Sequence, residues 1–216
     1  MGIKSANLNV MRAAAEKAGR ALRRDFGEIE KLQVSQKGPG DFVTNADLKA
    51  ESIIREELQT ARPGYGLLME ESGEIDGSDK THRWIVDPLD GTTNFMHGIP
   101  HFAISIALER EGRLVSGLIY NPVTDEIFFA ERGQGAFSLN TRLRVGGRNH
   151  LSDAVFACGA PHSERAGRAE FITEMETLLP KVAGIRRFGA AALDLAYVAA
   201  GRVDGFWERG LAPWDM

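Results

Sequence analysis

Two carboxylates three residues apart stand at the end of an apolar run in Trp84-Ile85-Val86-Asp87-Pro88-Leu89-Asp90, and Gly91-Thr92-Thr93-Asn94-Phe95 follows directly. Pro88 fixes the backbone between the two acids. The Gly-Thr-Thr-Asn stretch reads as a tight turn into a helix start, where outward N–H groups and the helix dipole favour an anion. Hard oxygens for a cation and donors for a phosphate therefore lie side by side. A plain helix cap would use the same residue types, so this segment alone does not decide. Other acids are placed in similar ways. Leu67-Leu68-Met69 runs into Glu70-Glu71-Ser72, Asp41-Phe42-Val43-Thr44-Asn45-Ala46-Asp47 sets a carboxylate at a helix start, and Trp214-Asp215 follows Pro213. Each by itself has an ordinary reading as a solvated turn or an N-cap.

Taken in order, these segments resemble the inositol monophosphatase family, part of the lithium-sensitive, magnesium-dependent phosphatase superfamily. Residues 87–95 look like its first signature and Trp214-Asp215 like the start of its second, with Glu70-Glu71-Ser72 and residues 41–47 matching two further motifs. The likeness extends through Gly189-Ala190-Ala191 and Glu208-Arg209-Gly210 and covers nearly the whole chain. Ordered motifs of this kind are far more specific than a lone acid pair. Met69 departs from the pattern, standing where many relatives carry Gly.

The resemblance implies that Glu70, Asp87, Asp90, Asp215 and the backbone carbonyl of Leu89 hold two or three Mg²⁺ ions. It implies that Thr92, paired with Asp47, orients and helps to deprotonate the attacking water, with Glu70 and Asp90 also catalytic. Gly91, Thr92 and Thr93 would hold the phosphate, Ala191, Glu208 and Asp215 would face the substrate, and Lys37 matches a mobile-loop lysine. The implied reaction is Mg²⁺-dependent hydrolysis of a phosphate monoester, inositol 1-phosphate first. Histidinol phosphate, fructose 1,6-bisphosphate and 3′-phosphoadenosine 5′-phosphate are alternatives. Glu208 favours the inositol branch, because a carboxylate there can accept bonds from vicinal hydroxyls. A homodimer is implied as well. Some bacterial members are implicated in ribosomal-RNA transcription or processing, so a non-catalytic partner of the transcription machinery is the competing reading.

Elementary electrostatics points the same way. Asp47, Glu70, Asp87, Asp90 and Asp215 in one cleft would repel a phosphate monoester, and two Mg²⁺ would nearly cancel that charge. An all-oxygen donor set suits magnesium rather than zinc.

Positioning such groups requires a scaffold, and hydrophobic spacing supplies its outline. Val10–Phe26 is predicted to be an amphipathic helix burying Met11, Ala14, Ala15, Ala18, Leu22 and Phe26,. Gly38-Pro39-Gly40 reads as a loop, and a second helix from Asp47 should bury Leu48, Ile54 and Leu58. Leu67–Met69 and Trp84–Val86 read as buried strands, and Phe102–Leu108, Leu114–Tyr120, Glu126–Ala130, Gly135–Leu139 and Leu143–Val145 as an antiparallel meander. Beyond a hinge at Gly146-Gly147, strands at 155–158, 185–188 and 203–207 alternate with helices near 164–179 and 190–200. The expected fold is mixed α+β and α/β, a layered αβαβα sandwich of the sugar-phosphatase type. Residues 1–146 should carry most metal ligands and 147–216 an α/β subdomain.

Composition bounds the class. The 216 residues are 43% hydrophobic and 26% charged, which is globular, and a net charge of −4 gives no electrostatic case for nucleic acid or an anionic membrane,. One cysteine, Cys158, excludes an internal disulfide and a cysteine zinc cluster,. Ala6 breaks a myristoylation signal, and with no long apolar segment a cytoplasmic location is expected,. His97 and His101 are read as solvated or core residues, Arg186-Arg187 as a surface or interface pair, and Phe206 and Trp207 as core. Relatives continue past Trp-Asp into a helix and further strands. The C-terminal part of the sandwich is therefore expected to be missing from a chain cut from a longer protein, leaving Asp215 on an unsupported end.

Overall fold

Helix α1 (Ala6–Phe26) turns Leu8, Met11, Ala14, Ala15, Ala18 and Leu22 inward at helical spacing, beginning four residues earlier than Val10,. The computed structural model describes residues 5–26, 34–38, 41–161 and 166–216, with backbone alone for 34–38 and 41–43. Strands β1 (Val34–Gly38) and β2 (Asp41–Thr44) pair as an antiparallel ribbon, and Pro39 and Gly40 of the predicted loop lie outside the described residues. Lys37 stands on β1, where its side chain is not described.

Helix α2 (Asn45–Ala61) starts at Thr44, whose hydroxyl accepts the Ala46 N–H at 3.1 Å. Its inward stripe is Asp47, Glu51, Ile54 and Leu58, and Leu48, expected inside, is 51% exposed. Two acids occupy inward positions, so hydrophobicity alone misassigned the face.

The main sheet has eight strands: β3 (Tyr65–Met69), β4 (Gly73–Ile75), β5 (Asp79–Asp90), β6 (Ala103–Arg110), β7 (Arg113–Asn121), β8 (Glu126–Glu131), β9 (Gly135–Ser138) and β10 (Thr141–Arg142). Their order is β10-β9-β8-β7-β6-β5-β3-β4, and every pairing is antiparallel except β3 with β5. The β6–β7 hairpin turns at Glu111-Gly112, with φ of 50° and 73°, the left-handed pair that matches strand twist,. Leu143–Val145 is not a strand. The chain leaves the sheet after Arg142, and Val145 is 71% exposed.

A second sheet follows. β11 (Val155–Cys158), β12 (Gly184–Arg186) and β13 (Gly205–Trp207) pair in parallel in the order β12-β11-β13. Between them run α4 (Arg168–Leu178) and α5 (Ala191–Ala199), while α3 (Thr92–Met96) is the short helix after β5. The first part of the helix expected from Glu164 falls outside the described residues.

The packing is layered. Residues of α1 and α2 share a core with the inner side chains of β3, β5, β6 and β7, among them Trp84, Ile104 and Tyr120. On the opposite side, Leu193 and Ala196 of α5 pack with Ala103 and Phe128. α5 also reaches β13, and α4 meets the small sheet where Phe171 stacks on Trp207. Phe206 and Trp207 are half-buried rather than core, because Trp207 lies between Phe156 and Phe171 near the surface.

Candidate active site

Strand register brings the first two acids together. In the parallel pairing Leu67 sits opposite Trp84 and Met69 opposite Val86, so the next residues, Glu70 and Asp87, fall beside one another. The Glu70 N–H donates to the Val86 carbonyl at 3.1 Å, and the Glu70 and Asp87 carboxyls share a hydrogen bond.

A bulge aligns the third. Side chains alternate along a strand, so residues three apart would normally point to opposite faces. Here Asp87 pairs with Ser105 but Asp90 with Ala103, three steps on one strand against two on the other. The extra residue returns Asp90 to the side of Asp87, and Pro88, which cannot donate to a ladder, sits where the ladder is interrupted. The Asp87 Oδ1 accepts the Leu89 N–H at 2.9 Å, closing the bulge from within.

Asp90 is held from across the molecule. It accepts the Ala191 N–H at 3.2 Å and the Ala192 N–H at 2.7 Å, two free donors at the start of α5,. Gly91 follows at φ 94°, and a Cβ there would crowd Ala190 and the Gly189 and His101 carbonyls, so glycine is required twice over,. Asn94, buried in α3, donates to the His101 and Phe188 carbonyls, both at 2.7 Å, tying the two sheets' loops together.

Behind α3 lies the expected pair. The Thr92 hydroxyl is 2.9 Å from Asp47 Oδ1 and 3.1 Å from the Leu89 carbonyl. Its single proton serves one acceptor at a time, and the carboxylate is nearer and charged. The other oxygen of Asp47 accepts from the Thr44 N–H at 2.8 Å and the Thr44 hydroxyl at 2.6 Å, which fixes the carboxylate's orientation.

One cavity gathers these groups. Glu70, Asp87, Leu89, Asp90, Gly91, Thr92, Thr93, Ala191, Glu208 and Asp215 all line it. Asp47 does not: it is fully buried and reaches the cavity only through Thr92, a correction to the expected five-carboxylate cleft. Asp194 of α5 lines it instead, with Cys158, Gly159 and Arg187. Arg187, expected in a surface or interface pair, lines the cavity and brings a cation to its wall, while Arg186 is exposed. Gly159, Arg187 and Glu208 all follow the carboxyl ends of parallel strands, the usual ligand-binding end of such sheets,. A Cβ on Gly159 would overlap the Glu208 carboxylate, so that glycine makes room for the acid. Asp215 accepts the Ala212 N–H at 2.7 Å in a terminal 3₁₀ turn.

Burial and mutual repulsion hold these acids off their ordinary values. Asp87 is pushed well up by desolvation, then by Glu70 and Asp90. Asp90 is pushed up to about 8 by burial, partly offset by the Ala192 N–H and reinforced by Asp215 and Asp194. Asp47 is raised by burial against the bonds from Thr44 and Thr92. Such a cluster fits a hard divalent cation, whose charge would remove the repulsion. Among the described residues no group of three His, Cys, Asp or Glu side chains is arranged so that it could hold a metal ion. His97 is exposed, and His101 stacks on Phe188 with Nε2 3.6 Å from Asp194. His101 thus meets Asp194 rather than Glu70, Asp87 or Asp90.

The profile of the inositol monophosphatase family matches residues 5–216. The chain belongs to that family. Family membership makes it an enzyme, a phosphatase. An inositol-1-monophosphatase of Mesorhizobium japonicum is 62% identical over 213 residues, covering 99% of this chain and 80% of the relative. The Nus factor SuhB of Escherichia coli is 44% identical over 209 residues, covering 97% and 78%. The crystal structure of the extragenic suppressor protein suhB of Bartonella henselae superposes with a TM-score of 0.96 at 61% identity, covering 98% of this chain and 81% of that one. The layered fold expected of the family is thus the fold observed. No helix among the described residues is long and apolar enough to cross a membrane.

Asn94 and Asp194 carried no role in the sequence. Asn94 sat inside the quoted motif, where its burial was invisible, and Asp194 sat in an apolar helical run that hid its direction.

Proposed function

We propose that the chain hydrolyses the phosphate monoester of a small polyol, inositol 1-phosphate first, in the cytoplasm and as a homodimer. Glu70, Asp87, Asp90, Asp215 and the Leu89 carbonyl would hold two or three Mg²⁺. The observation that carries this reading is the Thr92 hydroxyl, aligned by buried Asp47 at the edge of a cavity walled by carboxylates. Bound Mg²⁺ supplies charge neutralisation, acidification of a water and stabilisation of the departing alkoxide.

The chain's own groups do the rest. Asp47 accepts a hydrogen bond from Thr92, which turns a lone pair of Thr92 Oγ1 toward the cavity; as Oγ1 takes a proton from the attacking water, its own proton passes to Asp47,. Gly91, Thr92 and Thr93 meet the phosphate at the start of α3, where backbone N–H groups lack helical partners. Glu208 and Ala191 receive the polyol at the other wall, beside Asp215. No covalent intermediate is needed, and Cys158, its thiol pushed up to about 11 by burial, is a poor nucleophile,. Residues 1–146 would supply most of the metal ligands and 147–216 Asp215 and the polyol side, with Gly146-Gly147 between them.

Phosphate release from inositol 1-phosphate, histidinol phosphate, fructose 1,6-bisphosphate and 3′-phosphoadenosine 5′-phosphate, with Mg²⁺ and with or without Li⁺, tests this. Inositol 1-phosphate should be fastest and lithium should inhibit. Asp90→Asn should stay folded and lose about 10³-fold or more in turnover. Wild-type turnover in that variant at saturating Mg²⁺ would remove Asp90 from the site.

The relatives named Nus factor favour a second reading, a partner of the transcription machinery. Capture of RNA polymerase by wild type and Asp90→Asn alike, with no phosphate released from any of the four compounds, would put it ahead.

A further inference from the structure

One turn along α2 from Asp47 stands Glu51, a carboxylate only 3% exposed that does not line the cavity. It accepts the Glu71 N–H at 2.8 Å and the Ser72 hydroxyl. Both donors belong to the turn that follows Glu70. On its other side Glu70 is tied to β5, through its N–H to Val86. Glu70 therefore sits between two anchors, a strand and a helix.

Residues four apart share a helix face. The face that presents Asp47 to Thr92 presents Glu51 to the Glu70 turn. Burying a carboxylate is costly unless it is well bonded, and here its partners are uncharged donors of one short turn. A carboxylate offers two acceptor oxygens that grip successive residues of that turn at once.

We infer that Glu51 is a positioning residue, and that α2 acts as a bracket holding the Glu70 limb of the metal site in register with the Thr92–Asp47 pair. This rests on the reading above that Glu70 helps to hold Mg²⁺. Outer partners of metal ligands commonly matter about tenfold or more for metal affinity.

The test uses the full chain, with Mg²⁺ titrated calorimetrically in the absence of substrate and thermal melts in EDTA as the check on folding. Glu51→Ala should bind Mg²⁺ about tenfold more weakly and need correspondingly more Mg²⁺ for half-maximal turnover. At saturating Mg²⁺ its KM for substrate should stay within about twofold of wild type. Glu51→Gln should recover most of the affinity, since its carbonyl can accept the Glu71 N–H and its amide can donate to Ser72. Ile54→Ala, which destabilises the same helix without touching the turn, should leave Mg²⁺ affinity unchanged.

A folded Glu51→Ala protein with wild-type Mg²⁺ affinity overturns the inference, as does an equal loss in Ile54→Ala. If Glu51→Ala does not fold, Ser72→Ala decides: removing one of the two grips should weaken Mg²⁺ binding about threefold, and no change overturns the inference. A wild type that binds Mg²⁺ but releases no phosphate counts against the proposed reaction alone.

Discussion

The acid end of the cavity is walled by neighbouring strands of one sheet, with Glu70 and Asp87 in register on β3 and β5 and Asp90 returned to their side by a bulge. The opposite end is assembled from chain segments that leave a different sheet: Gly159 after β11, Arg187 after β12 and Glu208 after β13. At the acid end the supporting bonds are ladder bonds, helix N–H groups and the buried acids of α2. At the other end side chains rest on turns, as the Glu208 carboxylate rests against Gly159. Ladders fix backbone to a fraction of an ångström, whereas turns vary with each residue they contain. On the proposed reaction, the contrast would put reaction and selectivity in separable parts. A change at one end should leave the other's property in place.

The largest break in that separation should come from Asp47→Asn. A buried Asn amide cannot satisfy both sides. With its carbonyl toward the Thr44 N–H, its NH₂ faces Thr92 and reverses the hydrogen bond; with its carbonyl toward Thr92, two donors meet at Thr44. The first orientation spares the buried N–H and is favoured by the cost of an unmet donor, about 1–3 kcal/mol. Thr92 then loses the alignment that leaves a lone pair for water. Turnover should fall about 10²-fold while Mg²⁺ affinity, measured by calorimetry, stays within about twofold. Equal turnover in the two proteins would take Asp47 out of the reaction.

How far this design was legible in the sequence follows from the same contrast. Glu70, Asp87 and Asp90, which line the cavity, were named in sequence through the ordered family motifs, since apolar runs that end in Asp or Glu, and a Pro between two acids, mark them without deciding their role. Their geometry was not legible, since periodicity does not say which strands are neighbours, and the parallel pairing of β3 with β5 alone sets Glu70 beside Asp87. Local pattern also failed where inward positions are polar. Leu48 was placed inside and is half exposed, while Glu51 went unnoticed on the stripe that is buried. The far end was the least legible. Arg187 follows β12 and Asp194 lies on α5, whose N-terminus docks on Asp90 through bonds between residues about a hundred positions apart.

At that far end the comparison is sharpened by Gly159→Ala. A methyl there overlaps the Glu208 carboxylate, whose three atoms are its nearest neighbours, and displaces it. The KM for inositol 1-phosphate should rise about tenfold, and the preference over fructose 1,6-bisphosphate should shrink with it. Mg²⁺ affinity should be unchanged. Steady-state kinetics on both substrates decides, and an unaltered preference would mean that Glu208 does not select the polyol.

The smallest effect is on stability without metal, and it separates the two ends by sign and location. Asp90 is raised to about 8 in the folded protein, chiefly by burial, and Asp87 is raised well above its ordinary range for the same reason. In the unfolded chain both ionise near pH 4. Between those values the folded state holds more protons than the unfolded one, so stability falls as pH rises. It is fully present below about pH 4 and is lost as pH passes through about 8, where Asp90 must ionise against its neighbours. Mg²⁺ competes with those protons, so its stabilising effect should grow over the same interval. Thermal melts in EDTA should therefore fall as pH rises from about 5 to about 8, and recover when Mg²⁺ is added. Asp90→Asn should flatten the EDTA slope, because the amide has no proton to lose, while Gly159→Ala should leave it intact. A metal-free protein that grows more stable from pH 5 to 8 would show that the acid end is not strained by its own charge, and the physical reason for a cation there would be gone.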